Sequence, residues 1–135
     1  MKILKGILYF ILAVVVILAL AALFAPGEKT VERSVTIDAP ASQVYGMVSD
    51  FKNWEKWDPW YGKDTTQVRE YSGEPGEEGY GYTWTSEHPR VGVGSMTVTS
   101  VEENKSISCD LVFGEGGQKM ESTSGFTFEE NDGKT

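Results

Sequence analysis

The sequence predicts an α+β domain, in which an antiparallel sheet carries short helices, preceded by a single transmembrane helix. Three observations support this fold class. A run of twenty residues near the N-terminus lacks charged side chains, several later segments alternate apolar and polar residues, and clusters of turn-forming residues separate those segments. Alternation with a period of two is typical of half-buried strands, and short turns join neighbouring strands into antiparallel pairs.

The apolar run extends from Gly6 to Ala25. As a helix it would cover roughly 30 Å, the thickness of the hydrocarbon core of a bilayer, and it shows no polar stripe on any side. A cleavable signal peptide is the alternative, because Ala19-Leu20-Ala21 fits a small-x-small cleavage site. The apolar run continues beyond that site, however, and exceeds the usual apolar core of a signal peptide. We therefore expect residues 1–25 to be a single-pass membrane anchor.

Residues 26–29 form a linker, and residues 30–135 form the domain that it carries. Even fully extended, the linker reaches only about 14 Å, so the domain would lie close to the membrane surface. Lys2 and Lys5 precede the apolar run and predict a cytoplasmic N-terminus. The domain would then lie on the extracytoplasmic side of the cell membrane, or would be secreted or periplasmic if the apolar run were cleaved as a signal.

Composition argues against several kinds of partner and site. Beyond Lys5 the chain has 10 basic and 20 acidic side chains, so neither nucleic acid nor an anionic lipid surface is an expected partner of the domain as a whole. Cys109 is the only cysteine, which excludes an internal disulfide and a cysteine-based zinc site. It alternates with apolar residues, which predicts a buried thiol. His88 is the only histidine and is expected in a solvated hairpin loop. We expect no metal and no cofactor.

The domain is predicted to begin with a strand and a short helix. A strand is expected at residues 30–37, where apolar and polar side chains alternate apart from one arginine. Asp38 is the predicted N-cap of a helix spanning about residues 41–49. In the tryptophan-rich segment 51–61, Pro59 limits the chain to a short helical turn followed by irregular structure.

Five further strands are expected, at about residues 66–71, 80–84, 91–101, 106–113 and 120–129. Together they would form one sheet with one apolar face. A single short helix and the tryptophan segment are too little to cover such a face. Because the sequence stops after a predicted hairpin turn at Asn131-Asp132-Gly133, we expect a further strand and a covering helix beyond Thr135 in the natural protein.

Several short motifs follow one another in a characteristic order: Ile37-Asp38-Ala39-Pro40, Ser49-Asp50-Phe51, Trp54-x-x-Trp57, Pro59-Trp60, Tyr82-x-Trp84 and Gly92-x-Gly94-Ser95-Met96. In this order and spacing they resemble the START-like superfamily, specifically its SRPBCC group of polyketide cyclase/dehydrase and lipid transport proteins with an N-terminal anchor. The resemblance implies a helix-grip fold, in which a curved antiparallel sheet wraps a long C-terminal helix. A hydrophobic cavity lies between them, and that helix would supply the cover that the predicted sheet lacks.

The resemblance also implies that aromatic and apolar side chains line the cavity. The candidate ligand-binding residues are Trp57, Trp60, Tyr61, Tyr82, Trp84, Met96 and Phe126. For the tryptophans at positions 54 and 57, packing of the helical segment against the sheet edge is the competing interpretation.

The leading hypothesis is a membrane-tethered protein that binds a lipid or another small hydrophobic ligand. One alternative is a cyclase or hydratase acting on an apolar substrate, with Tyr82, Arg33 and His88 as its inward polar side chains. Another is a sensory or structural module without a ligand. No catalytic residue is assigned, because the sequence contains no recognisable Ser-His-Asp set, phosphate loop or metal-ligand cluster.

Overall fold

The computed structural model describes residues 2–24 and 27–135, which fall into two compact units divided after Ser34. The first unit contains helix α1 (Lys2–Phe24), which is roughly 35 Å long at 1.5 Å per residue. Its segment Lys5–Phe24 has a mean hydropathy of 3.1 and is exposed throughout. A membrane span has these properties, and an N-terminal signal sequence shares them. Ala25 and Pro26, the predicted end of the anchor and start of the linker, lie outside the described residues.

The second unit is a five-stranded antiparallel sheet preceded by short helical elements, which confirms the predicted α+β architecture. Each strand pairs with the next in chain order. The strands are β1 (Val68–Ser72), β2 (Gly81–Thr85), β3 (Val93–Glu102), β4 (Ser106–Phe113) and β5 (Met120–Thr127). The helical elements are α2 (Ala41–Ser49), a 3-10 helix (Phe51–Lys56), α3 (Pro59–Lys63) and a 3-10 turn (Gly116–Gln118).

The core lies between the helical segment and one face of the sheet, which we call the inner face and define by Tyr82 and Trp84. Phe51, directly after α2, is fully buried and stacks on the ring of Tyr80, with centroids 4.9 Å apart. Trp54 meets the edge of Phe126 on β5 at 5.8 Å. Large aromatic side chains contribute much of the burial in a small domain, so these contacts hold the helical segment on the sheet.

The N-terminus of α2 is capped from a distant part of the chain. The prediction that Asp38 caps α2 is wrong. The Asp38 side chain is exposed, and its carboxylate lies 3.7 Å from the Lys134 ammonium. Instead, the carboxylate of Glu130 accepts a hydrogen bond of 2.8 Å from the backbone N–H of Ala41. Pro40, the residue before the helix, has no side chain that accepts such a bond. A backbone N–H of the first turn, which has no acceptor within the helix, therefore donates to a side chain from a distant part of the sequence.

The C-terminus of α2 is capped by side chains of the next segment. The carbonyls of residues 46, 47 and 48 accept hydrogen bonds from Asn53, Trp57 and Trp54 at 3.1, 3.1 and 2.9 Å. Carbonyls in the last turn of a helix lack intrahelical partners, and here an amide and two indoles replace them. The indoles of Trp54 and Trp57 thus cap the C-terminus of α2.

The strand predicted at residues 30–37 does not form in the described residues. This segment has no regular secondary structure, and Val31 and Val35 are exposed. Within this segment, Ile37 exchanges two backbone hydrogen bonds with Thr135, of 2.6 and 2.9 Å. Alternation of apolar residues describes a strand correctly only where a neighbouring strand supplies a ladder of hydrogen bonds.

Replacing Glu130 with alanine should lower the free energy of unfolding of the domain by about 1 kcal/mol, because it removes the only side-chain acceptor found for the first turn of α2 among the described residues. Thermal unfolding of the 135-residue chain in mild detergent, followed by near-ultraviolet circular dichroism, measures the change. Glu129→Ala is the matched control, since it removes the same charge from the adjacent residue, which is not the acceptor for Ala41. Equal effects of the two variants would contradict the capping role.

Replacing Gly94 with alanine should destabilise the domain by about 1–3 kcal/mol through overpacking. A Cβ at this position would lie 2.5 Å from the Val112 carbonyl oxygen and would overlap the indole of Trp84. Tryptophan fluorescence during denaturant unfolding reports both the stability and the displaced indole. Gly117→Ala serves as the control, because a Cβ there meets nothing within 4 Å. A Gly94→Ala variant as stable as this control would refute the steric argument.

Candidate functional site

The register of the sheet places the inner-face side chains in two rows. One row consists of cross-strand neighbours from β1 to β4, namely Tyr71, Tyr82, Met96 and Leu111. The other row runs parallel to it and consists of Arg69, Trp84, Gly94 and Phe113. Because alternate residues of a strand point to opposite faces, the polar and charged residues between them lie on the outer face. From β1 to β4 the inner face is therefore apolar and aromatic apart from Arg69, and β5 adds Ser122 and Ser124 to it.

Aromatic rings form a continuous layer across this face. The ring of Tyr82 lies 5.7 Å from that of Tyr71 and 5.6 Å from that of Trp84. Trp84 in turn meets Phe113 edge-on at 5.7 Å. These separations lie within the range in which aromatic pairs attract one another beyond simple burial. Gly94 leaves the space into which the Trp84 indole fits.

Burial decreases along the inner face from the helical segment toward the far end of β4 and β5. Tyr82, Trp84 and Met96 are buried. Leu111 and Phe113, near the end of β4, are only half-buried, and Met120 at the start of β5 is 64% exposed. Part of the apolar face is thus open to solvent among the described residues. Apolar surface of this kind on a small domain is typical of binding sites.

A buried ion pair lies at the β1 side of the face. The Arg69 guanidinium contacts the Asp58 carboxylate at 2.8 Å, and their side chains are 4% and 6% exposed. Arg69 Nε also donates to Gln67 at 2.9 Å. Asp58 is held in place because it caps α3: its carboxylate accepts a hydrogen bond of 3.0 Å from the backbone N–H of Trp60. A buried charge requires such a partner.

Two buried polar atoms next to this pair, Arg69 Nη1 and Tyr71 Oη, make no hydrogen bond of normal length and angle among the described residues, although the two side chains interact with each other. Both side chains project from the same face of β1 because the residues are two positions apart. Rings of Tyr61 and Tyr82 flank the guanidinium, with centroids 4.9 and 5.1 Å from it. Burial raises the pKa of Tyr71, and a side-chain hydrogen bond with Arg69 opposes part of that increase.

The remaining titratable groups show how little charge the inner face carries. Burial raises the pKa of Tyr82 to about 12, so its phenol is neutral at physiological pH. Cys109 is buried, as predicted, and burial raises the pKa of its thiol to about 11. His88 lies in the loop between β2 and β3, where its Nδ1 accepts from the backbone N–H of Arg90. Across the described residues, no group of three or more metal-ligating side chains is close enough to hold an ion.

The structure separates the predicted site residues into two groups. Tyr82, Trp84 and Met96 share the inner face, and the partly buried Phe126 packs against the same core. By contrast, Trp57 and Trp60 lie on the helical segment and are 40% and 53% exposed, and the Trp60 ring packs under the Lys63 ammonium at 4.1 Å. Tyr61 is half-buried against Arg69. Arg33, considered as an inward group, is exposed.

Sequence reasoning missed Arg69, Asp58 and Tyr71. A signal for the first was present: in the segment Val68–Ser72 the arginine alternates in phase with Tyr71, so the two share a face. For Asp58 the signal was its position before Pro59, which suits a helix N-cap and thus a fixed carboxylate. A charged residue in phase with aromatic positions indicates a buried ion pair when a fixed opposite charge is available.

Comparison with known proteins agrees with this architecture. The family described as polyketide cyclase/dehydrase and lipid transport matches residues 28–135, which is most of the chain. A search of curated proteins and a search of solved structures each found no match. The match spans every strand of the sheet, the helical segment and the Arg69–Asp58 pair. The chain therefore belongs to the polyketide cyclase/dehydrase and lipid transport family, within the SRPBCC group.

Proposed function

We propose that this protein binds a lipid or another small hydrophobic molecule on the inner face of its sheet while α1 holds it at a membrane. One observation carries the proposal: the apolar layer continues from buried positions to the half-buried Leu111 and Phe113 and the exposed Met120. A ligand that covers these side chains removes apolar surface from water, which stabilises the complex by roughly 25 cal/mol per Å². Membership of a family that includes lipid transport proteins supports this proposal.

The distribution of charge supports an uncharged, apolar ligand body. On the strands, the acidic residues Glu70, Asp110 and Glu121 alternate with inner-face residues and lie on the outer face, and Arg69 on the inner face is already paired with Asp58. Neutral tyrosines, apolar residues and the β5 serines Ser122 and Ser124 provide the remaining surface. Sites for small molecules commonly combine an apolar lining with a few polar groups that orient the ligand.

The membrane part of the proposal rests on α1. Its segment Lys5–Phe24 is long and apolar enough to cross a bilayer, and Lys2 and Lys5 at its start favour a cytoplasmic N-terminus. We infer that the domain lies on the extracytoplasmic side of the cell membrane and takes its ligand from that leaflet.

A photoactivatable fatty-acyl lipid tests binding in membranes that contain the chain. Peptides of the domain should be labelled, and Leu111→Gln should reduce that labelling about tenfold because an amide replaces apolar contact with the ligand. Val112→Gln is the matched control: both residues are half-buried neighbours on β4, but Val112 faces outward. Labelling of α1 in the same molecules provides the reference for membrane insertion. Equal labelling of the domain in both variants would contradict inner-face binding.

The membrane orientation has a separate test with single introduced cysteines. In intact cells a membrane-impermeant maleimide should label Lys29→Cys, whereas Lys2→Cys should react only after permeabilisation. Cys109 gives little background because it is buried and its thiol pKa is raised to about 11. The reverse pattern would contradict the proposed orientation, and a mature chain lacking the apolar segment would identify it as a cleaved signal.

A further inference from the structure

We propose that the helical segment carries a second membrane contact, at which Trp57 and Trp60 insert into the headgroup region of a lipid bilayer. The inference rests on the membrane part of the proposed function and adds a surface of the domain to it. It starts from two tryptophans that the inner face does not use. Both lie on the helical segment, and both side chains are exposed.

Three exposed apolar side chains lie close together on this segment, and we call them the tryptophan patch: Met47, Trp57 and Trp60. Trp57 is fixed next to Met47, because its indole N–H donates to the Met47 carbonyl at 3.1 Å. Trp60 follows three residues later, so its Cα lies within about 11 Å of the Trp57 Cα. Single exposed apolar residues are common on protein surfaces, whereas neighbouring large ones are typical of contact sites.

The chemistry of the two indoles suits the boundary between water and lipid. The indole N–H of Trp57 is already paired with a backbone carbonyl, so its ring can enter an apolar layer without carrying an unpaired donor. Trp60 presents the same type of ring at a more exposed position. Tryptophan is enriched at membrane–water interfaces because its ring is apolar and its N–H can bond with polar groups there.

Exposed lysines accompany the patch. Within residues 51–63 the lysines are Lys52, Lys56 and Lys63. The Lys63 ammonium lies over the Trp60 ring, 4.1 Å from its centroid, so a positive charge and an indole occupy the same part of the surface. Lysine side chains can lay their apolar stems along a bilayer while their ammonium groups reach the phosphates of the headgroups.

The charge of this segment differs from that of the domain as a whole. Glu55 is the only exposed acidic residue within residues 51–63, since Asp58 is buried and paired with Arg69. Residues 35–135 contain 18 acidic and 8 basic side chains in total, so most of the domain surface is repelled by phosphate groups. The contact with lipid is therefore confined to the tryptophan patch and its lysines.

The chain itself brings a bilayer within reach of the patch. Helix α1 is long and apolar enough to cross one, and residues 25–34 join it to the domain. A tether raises the effective concentration of the second binding partner, so a contact that is weak by itself becomes populated. A few inserted side chains are then sufficient.

Tryptophan fluorescence of the full chain tests this contact. All four tryptophans lie in the domain and none lies in α1, so their emission reports on the domain alone. The chain is inserted into phosphatidylcholine vesicles whose acyl chains carry bromine near the headgroups, because bromine quenches an indole that it touches. Emission of the wild type should be quenched, and bromine placed near the bilayer centre should quench it less, as expected for insertion at the interface. The double variant Trp57→Phe/Trp60→Phe should lose the quenching, since Trp54 and Trp84 are buried.

A polar substitution tests whether insertion depends on the patch. Trp60→Gln should lower the quenching of the remaining tryptophans about twofold relative to Trp60→Phe, because an amide replaces an inserted ring. Trp60→Phe is the matched control, since it removes the same fluorophore and keeps an aromatic ring. Trp60→Phe/Val68→Gln places an amide at an exposed apolar position of β1 outside the patch and should behave as Trp60→Phe does. Thermal unfolding verifies that each variant is folded.

Three results would overturn the inference: no quenching in the wild type, equal quenching in the Trp57→Phe/Trp60→Phe variant, or equal quenching in Trp60→Gln and Trp60→Phe. Emission that is protected from bromine but changes with the number of chains per vesicle would overturn it as well, because the patch would then bind a second copy. Labelling of the domain by the photoactivatable lipid is measured separately and depends on Leu111. Labelling without bromine quenching leaves the proposed ligand site intact, whereas quenching without labelling removes that site and keeps the membrane contact.

Discussion

Because the side-chain period of a strand is two, the antiparallel register from β1 to β4 decides which residues share a face. A slip of one residue between β1 and β2 would move Arg69 and Tyr71 to the solvent side and leave Asp58 buried without a counter-charge. The register thus connects the ion pair, the aromatic layer and the helical segment that covers it. Gly94 belongs to the same constraint, since the Trp84 indole occupies the position that a side chain there would take.

The Arg69–Asp58 pair contributes more to specificity of the arrangement than to net stability. Removing two charges from water is costly, and mutual attraction with good hydrogen bonds offsets that cost only in part. The pair fixes the relative positions of neighbouring segments. Asp58 caps α3 and binds Arg69 on β1. Gln67, in the loop between them, donates to the backbone carbonyls of Trp60 and residue 64.

Features that depend on local pattern could be predicted from the sequence, and features that depend on distant partners could not. Alternation, strand-type composition and turn clusters identified all five strands of the sheet, the family resemblance implied the inward direction of Tyr82, and the helix expected at about residues 41–49 matches α2. Asp38 was chosen as the cap because capping rules consider only adjacent residues, whereas the acceptor is Glu130. The expected strand at residues 30–37 failed for a similar reason, since a ladder needs a neighbour. Arg69 was overlooked because its charge, taken alone, indicates an exposed position.

The cap of α2 by Glu130 determines when this helix can form. A nine-residue helix is marginal in water by itself, and its first turn acquires an acceptor only from a residue 89 positions later. The chain leaves the ribosome N-terminus first, so α1 and α2 are synthesised well before β5. We therefore expect α2 to gain the acceptor for its first turn only after residue 130 has been synthesised.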